Sequence, residues 1–286
     1  MKKKTLIRFM LLSVLCYIFW LFACGSNENH ATNKHIDGSI CVVFAHPDDE
    51  TIISGTLAML AAKDFDITVV YVTSGDDGPD ETGRGLYGDT LAAERENESL
   101  QSLQAIGIKN PPVFLRFPDS HVPEYVDAVT QALYDLFNKI TPQIVIIFSP
   151  DGITDDWDHK MSGFVADFVF DLTDSGRLLL HMAISKNLSP FYVTGIDVSE
   201  HAVNVRVNVA PYTNQRIRAL EAHRTQFNSR VRFIYKALVQ TMPTEEFIIA
   251  RNRDAGQWLE KCFDIQEEKN KSNSEMIADS VFTSTD

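Results

Sequence analysis

Cysteine is scarce in this 286-residue chain: four residues, two of which, Cys16 and Cys24, fall within the first 24 positions. The other two, Cys41 and Cys262, are too few to staple a small secreted fold, and no CxxC pair offers a zinc knuckle. A bridge between them is left open by the sequence. The chain also lacks a Gly-x-Ser-x-Gly nucleophile elbow, a Walker lysine loop and a His-Glu-x-x-His helix, which disfavours a serine hydrolase and removes two common sources of phosphate and metal chemistry. It has no internal repeats. Positive charge is scarce too, with 26 basic against 39 acidic residues and a net charge of −13. Four of the basic groups lie in the first 23 positions, so the remaining 22 basic and 39 acidic residues leave about −17. So acidic a surface argues against nucleic acid or anionic lipid as the main partner and suits a neutral substrate, or a cationic product that must leave.

What is present begins with a basic start, Met1-Lys2-Lys3-Lys4, and an apolar stretch over 6–23 broken only by Arg8 and Ser13. A polar run follows from Cys24-Gly25-Ser26. This reads as a secretory signal. Its end, Leu21-Phe22-Ala23-Cys24, resembles a bacterial lipobox in which Cys24 carries the lipid; the alternative is an uncleaved membrane anchor. Both readings place the rest of the protein outside the cytoplasm, tethered to a membrane. The expected organisation is a signal over 1–23, a tether over 24–37, one domain over 38–265 and a polar tail over 266–286.

With 44% hydrophobic and 10% aromatic residues the chain can bury one substantial core. Residues 40–45 and 144–148 are continuous apolar runs of the kind buried on both faces of a sheet, and 67–72 and 113–115 add two more strands. Between them the apolar spacing predicts helices over 51–63, 89–106, 122–140 and 160–172. The alternation predicts an α/β fold with a Rossmann-like, mostly parallel sheet, helices on both faces and ligands beyond the carboxyl ends of the strands. After about residue 175 the pattern weakens; 191–193 and 203–209 read as strands and 211–227 as a helix. Gly83-Arg84-Gly85-Leu86-Tyr87-Gly88 fits the GxGxxG spacing, but some ten loop residues separate it from the preceding strand, so it reads as a rim loop rather than a dinucleotide site.

Two strand ends carry the chemistry. The first strand runs into His46-Pro47-Asp48-Asp49-Glu50. His46 and Asp49, three apart at the start of a helix, share one side, and imidazole plus carboxylate are good zinc ligands. Asp48 stays close enough to take a proton from a metal-bound water. A helix cap alone would explain one acid, not two and a histidine. The strand ending at Phe148 leads into a second acidic loop, Ser149 to His159, where His159 would complete a His-Asp-His zinc set and Asp158 would orient it as a hydrogen-bond acceptor.

The run Ala45 to Glu50 resembles the signature of the LmbE/PIG-L family of N-acetylglucosaminyl deacetylases. Four further segments match in order: Arg95-Glu96-Asn97-Glu98 with Gly107, Phe117-Pro118-Asp119, Gly152 to His159, and Ala219-Leu220-Glu221-Ala222-His223-Arg224-Thr225-Gln226. Together they span roughly 38–228. The resemblance implies zinc on His46, Asp49 and His159, Asp48 as general base, and Arg95 and Asp119 as sugar-binding residues. It also implies a histidine where this chain has Asp156, and an ionised carboxylate cannot steady an oxyanion. His121 or His223 is the expected substitute, with His223 taken as the catalytic one. The function so implied is zinc-dependent removal of an N-acetyl group from an amino sugar or glycan. The rivals are a wider N-acyl amidase and a non-catalytic glycan-binding lipoprotein of the same fold.

Overall fold

Strand β1 (Ser39–Phe44) explains why the sheet forms where the apolar runs lie. Ile40, Val42 and Phe44 pack into one core and Cys41 and Val43 into another, so every side chain after Ser39 is buried on one face or the other. Each fully buried side chain of this size contributes about 1.5–3 kcal/mol. The chain is described by a computed structural model over residues 38–174, 176–184, 203–254 and 257–263. The expected signal, Cys24, the tether, the strand at 191–193 and the C-terminal tail lie outside those residues.

After β1 come α1 (Ser54–Ala62), β2 (Asp66–Thr73), α2 (Gly88–Ala105), β3 (Val113–Phe117), α3 (Val126–Ile140), β4 (Ile144–Phe148) and α4 (Trp157–Leu172). Then follow β5 (Leu178–Ala183), β6 (Val205–Asn208), α5 (Thr213–Ala222), α6 (Ser229–Thr241), β7 (Thr244–Asn252) and α7 (Gln257–Phe263). The seven strands lie in the order β3-β2-β1-β4-β5-β7-β6. The first five are parallel, while β7 runs antiparallel to both β5 and β6. Residues of α1, α2, α5 and α7 cover one face, and α3 and α4 the other. Cys41 and Cys262 lie in separate cores, so no bridge joins them.

Chain direction across the sheet reverses between β1 and β4, which pair directly, Ile40 opposite Ile144. That is the switch point at which loops from neighbouring strands diverge and leave a crevice. Close helix approach sharpens it. A Cβ on Gly163 of α4 would lie 2.9 Å from the Phe148 carbonyl oxygen, so glycine lets α4 press against the end of β4.

Several boundaries differ from the sequence expectation. The helix expected over 51–63 is a 3-10 turn (Asp49–Ile52) followed by α1, and the helix expected over 211–227 ends at Ala222. Strand β5 was not foreseen because Leu178-Leu179-Leu180 has no β-branched residue and suits either periodicity. Strand β7 was hidden by its acids. Glu245, fully buried, accepts the amide protons of Gly55 (3.0 Å) and Thr56 (2.7 Å) and faces Arg216 at 3.3 Å.

Candidate active site

Beyond β1 the chain turns, and Asp49 closes the turn: its Oδ2 accepts the amide protons of Ala45 (3.1 Å) and His46 (2.7 Å). The carboxyl is thereby fixed with Oδ1 3.1 Å from His159 Nε2. Asp48 adopts φ 115°, ψ −23°, a conformation that costs a residue with a side chain about 1–3 kcal/mol. Two bonds hold it there: its amide donates to Glu50 Oε2 (3.1 Å) and its carbonyl accepts from Thr51 N (2.9 Å).

Beyond β4, Asp156 caps α4, its Oδ1 accepting from the amides of Asp158 (2.7 Å) and His159 (3.3 Å). Asp158 is buried and accepts the amide protons of Ser120 (2.7 Å) and Val122 (3.0 Å), which ties the start of α4 to the segment after β3. The His159 ring stacks on Phe148 at 4.3 Å and 10°, and its Nδ1 donates to the Gly152 carbonyl at 3.1 Å, with Thr154 Oγ1 at 2.7 Å.

For neutral rings, these contacts select which ring nitrogens are left for a cation. His159 Nδ1 carries the proton because it faces a carbonyl, so Nε2 presents a lone pair. His46 Nε2 faces Asp119 Oδ1 at 2.9 Å and Asp158 Oδ2 at 3.5 Å, so it carries the proton and Nδ1 presents the lone pair. The two lone pairs meet 3.1 Å apart with Asp49 Oδ1 at 3.1 Å from one of them. With both rings neutral these are three acceptors converging on one another, and two imidazoles with a carboxylate are a catalytic zinc donor set. The residues present therefore fit the metal that the sequence implied.

The surrounding acids shift the titration of these groups. Burial works to lower the His46 pKa, but its hydrogen bonds with Asp119 and Asp158 outweigh it and raise the value well above the ordinary one. Burial, and then the charge of Asp49, push Asp48 up to about 7.

Arg95 is no surface ion pair. It is 3% exposed, donates to the Pro79 carbonyl at 3.2 Å and lies 4.0 Å from Asp119 Oδ2. Asp119 is held between His46, Arg95 and the Asp77 amide (3.2 Å). Both residues reach the same cavity as His46, Asp48, Asp49, Asp156 and His159. That cavity has a volume of about 370 Å³. Its far wall comes from later in the chain, including Ile184, Leu220, Phe227, Leu238, Val239 and Met242.

The two histidines expected to replace Asp156 are placed elsewhere. His121 is exposed and bonds Glu124 at 2.7 Å, outside the cavity lining. His223 is fully buried behind the motif and bonds Glu50 rather than facing the cavity. The reason is local: Glu98 accepts the amide protons of Arg224 and Thr225, both at 3.0 Å, and draws this segment under α2. The structure thus places His223 against the motif and not in the cavity lining. It holds Glu50, and Glu50 holds the amide of Asp48. Glu50 is the contributor that the sequence reading left without a role; its place directly after the two aspartates was the only signal. Thr154 and Arg216, which also line the cavity, gave none.

Residues 41–169 match the PIG-L family, described as GlcNAc-PI de-N-acetylase. A 1D-myo-inositol 2-acetamido-2-deoxy-alpha-D-glucopyranoside deacetylase from Saccharomonospora viridis is 26% identical over 263 residues, covering 75% of this chain and 96% of that protein. A protein of the same description from Rhodococcus opacus is 33% identical over 135 residues, 40% of this chain and 46% of that one. Among solved structures, the N,N'-diacetylchitobiose deacetylase from Pyrococcus horikoshii superposes with TM-score 0.58 at 21% identity, covering 78% of this chain and 87% of that one. A 4-carboxy-2-hydroxymuconate hydratase from Pseudomonas putida superposes equally well, TM-score 0.59 at 14% identity over 76% of this chain and 97% of that one. The fold alone thus does not select the chemistry. The matched segment, however, holds both strand-end loops with His46, Asp48, Asp49 and His159, and over residues 41–169 the chain is similar to the PIG-L, LmbE-like family.

Proposed function

We propose that this chain is a zinc-dependent N-deacetylase that hydrolyses the N-acetyl group of an N-acetylglucosamine-containing glycan. The observation that carries the reading is the convergence of His46 Nδ1, His159 Nε2 and Asp49 Oδ1, with the Asp48 carboxyl in the same cavity. The deacetylase names of its relatives support the substrate class.

A zinc ion on these three side chains supplies polarisation of the scissile carbonyl and a lowered pKa for a water that it holds. Asp48 removes the proton from the attacking water. Burial raises its basicity above that of an exposed carboxylate. As the carbon–nitrogen bond breaks, the protonated Asp48 returns that proton to the amine, because Asp156 is the only side chain at the expected acid position. Arg95 and Asp119 bind hydroxyls of the sugar and orient it. The products are acetate and a free amine.

The test is acetate release from N-acetylglucosamine-containing envelope fragments. Release stops with a chelator and returns with zinc; a metal-loaded protein that binds the glycan but releases no acetate overturns the reading. A second reading, a wider N-acyl amidase, is favoured by the apolar far wall of the cavity. It predicts that kcat/KM rises with acyl chain length, where the first reading predicts a fall. The basic start, apolar stretch and Leu21-Phe22-Ala23-Cys24 run support a lipid anchor at Cys24 and a place at the outer side of a membrane. An intact Met1 in the mass spectrum of the mature protein overturns the Cys24 anchor.

A further inference from the structure

The structure assigns to Asp156 a direct part in holding the cation: we infer that it is a fourth protein donor, beside His46, Asp49 and His159, in a site that keeps a fifth position for the water. This rests on the metal-dependent reading above and deepens it. A carboxylate oxygen of Asp156 and ring nitrogens of His46 and His159 all lie within 4.8 Å of one another. That span fits donors on opposite or adjacent corners around one ion with bonds of about 2.0–2.2 Å. His46 and His159 are the same two rings that lie against Asp49, so Asp156 and Asp49 share the two histidines.

The carboxyl is also held in place. As the cap of α4, Asp156 has its Oδ1 anchored by the amides of Asp158 and His159, so its position is set by the same turn that positions the His159 ligand. Side-chain entropy lost on ligation is thereby small. Two neutral imidazoles and two carboxylates exactly balance a divalent cation, where a two-histidine, one-carboxylate set leaves a net positive charge. The substitution of an acid where a histidine was expected then acquires a function: it trades a group near the departing amine for tighter retention of the metal.

Asparagine separates capping from ligation, because it caps a helix about as well as aspartate but carries no charge. The experiment uses the full chain and two probes, Zn2+ by competition with a chromophoric chelator and Co2+ by its visible absorption. D156N is expected to bind Zn2+ at least tenfold more weakly, since even partners that touch a metal only through its ligands cost about 10–100-fold. Its Co2+ spectrum should change in shape and intensity as the coordination number falls. D155N removes a neighbouring acid that is exposed and paired with Lys160 at 2.8 Å. It should stay within about twofold of wild type, as expected for an exposed charge. A D156N protein with a loss under tenfold and an unaltered Co2+ spectrum overturns the inference, as does an equal loss in D155N. Failure of the wild-type protein to bind either ion overturns the metal-dependent reading itself.

Discussion

Removal of His223 should cost far more stability than a histidine outside the cavity would suggest. Both His223 and Glu50 are fully buried and bonded to each other. Burial alone would raise the Glu50 pKa, but the His223 charge and hydrogen bond outweigh it and hold it below the ordinary range. Burial would likewise lower the His223 pKa, and the charge of Glu50 outweighs that and raises it. Truncation to alanine strands the carboxylate. Breaking such a pair costs about 3–5 kcal/mol. Glu50 keeps two other partners, the Tyr71 hydroxyl at 2.8 Å and the Asp48 amide at 3.1 Å, which places H223A near the lower end, about 3 kcal/mol.

The sign of the pH dependence follows from the two directions. Glu50, depressed in the fold, contributes stability above its unfolded pKa of about 4.3 that is lost as pH falls through the folded value. His223, raised in the fold, contributes fully below its unfolded value of about 6.5, and that contribution is lost as pH rises through the folded one. The gap between wild type and H223A is therefore widest at about pH 4.5–6.5 and narrows on both sides. Urea unfolding followed by circular dichroism across that range measures it. A gap below about 1 kcal/mol, or one that is flat with pH, refutes a charged buried pair. The E50Q/H223Q double variant should recover part of the loss, since no unpaired charge then remains buried.

Other outcomes test the site. D48N should keep its metal, measured by chelator competition, and lose turnover by about 10²–10⁴-fold, the usual worth of a general base. Zinc at 100 times its dissociation constant should stabilise the fold by about 2.7 kcal/mol, and H159A should abolish that shift in a thermal melt. In G78A the new Cβ would lie 2.3 Å from Arg95 Nη2, so the guanidinium must move; KM for the glycan should rise about tenfold with metal affinity unchanged, and an unaltered KM would remove Arg95 from substrate binding.

The convergence of the two loops of the candidate metal site was legible because they are bounded by the two least ambiguous strands, β1 and β4, whose side chains are buried on both faces. Their adjacency is a property of topology, and the pairing of His46 with His159 followed from it. What the sequence could not display were contacts between distant segments. Glu50 and His223 are 173 positions apart, and each looks like an ordinary polar residue until the fold joins them. Strand β7 stayed hidden because Glu245 reads as exposed, although the amides of Gly55 and Thr56 and the side chain of Arg216 meet it inside. The capping role of Asp156 was equally local in structure yet masked, since the sequence read its position only as a missing histidine.

The division of the cavity has a consequence for how the protein can change. Every side chain assigned to the reaction lies between residues 46 and 159, whereas the apolar far wall comes from 184–242. The apolar wall is thus the part of the cavity that can vary without touching the residues assigned to the reaction. A chimera that exchanges residues 203–263 for those of a relative should accept a different acyl or sugar neighbour while its chemistry stays whole. Two seams must survive the exchange, the grip of Glu98 on Arg224 and Thr225 and that of Glu245 on Gly55 and Thr56, because they register the transplanted part against the fixed one.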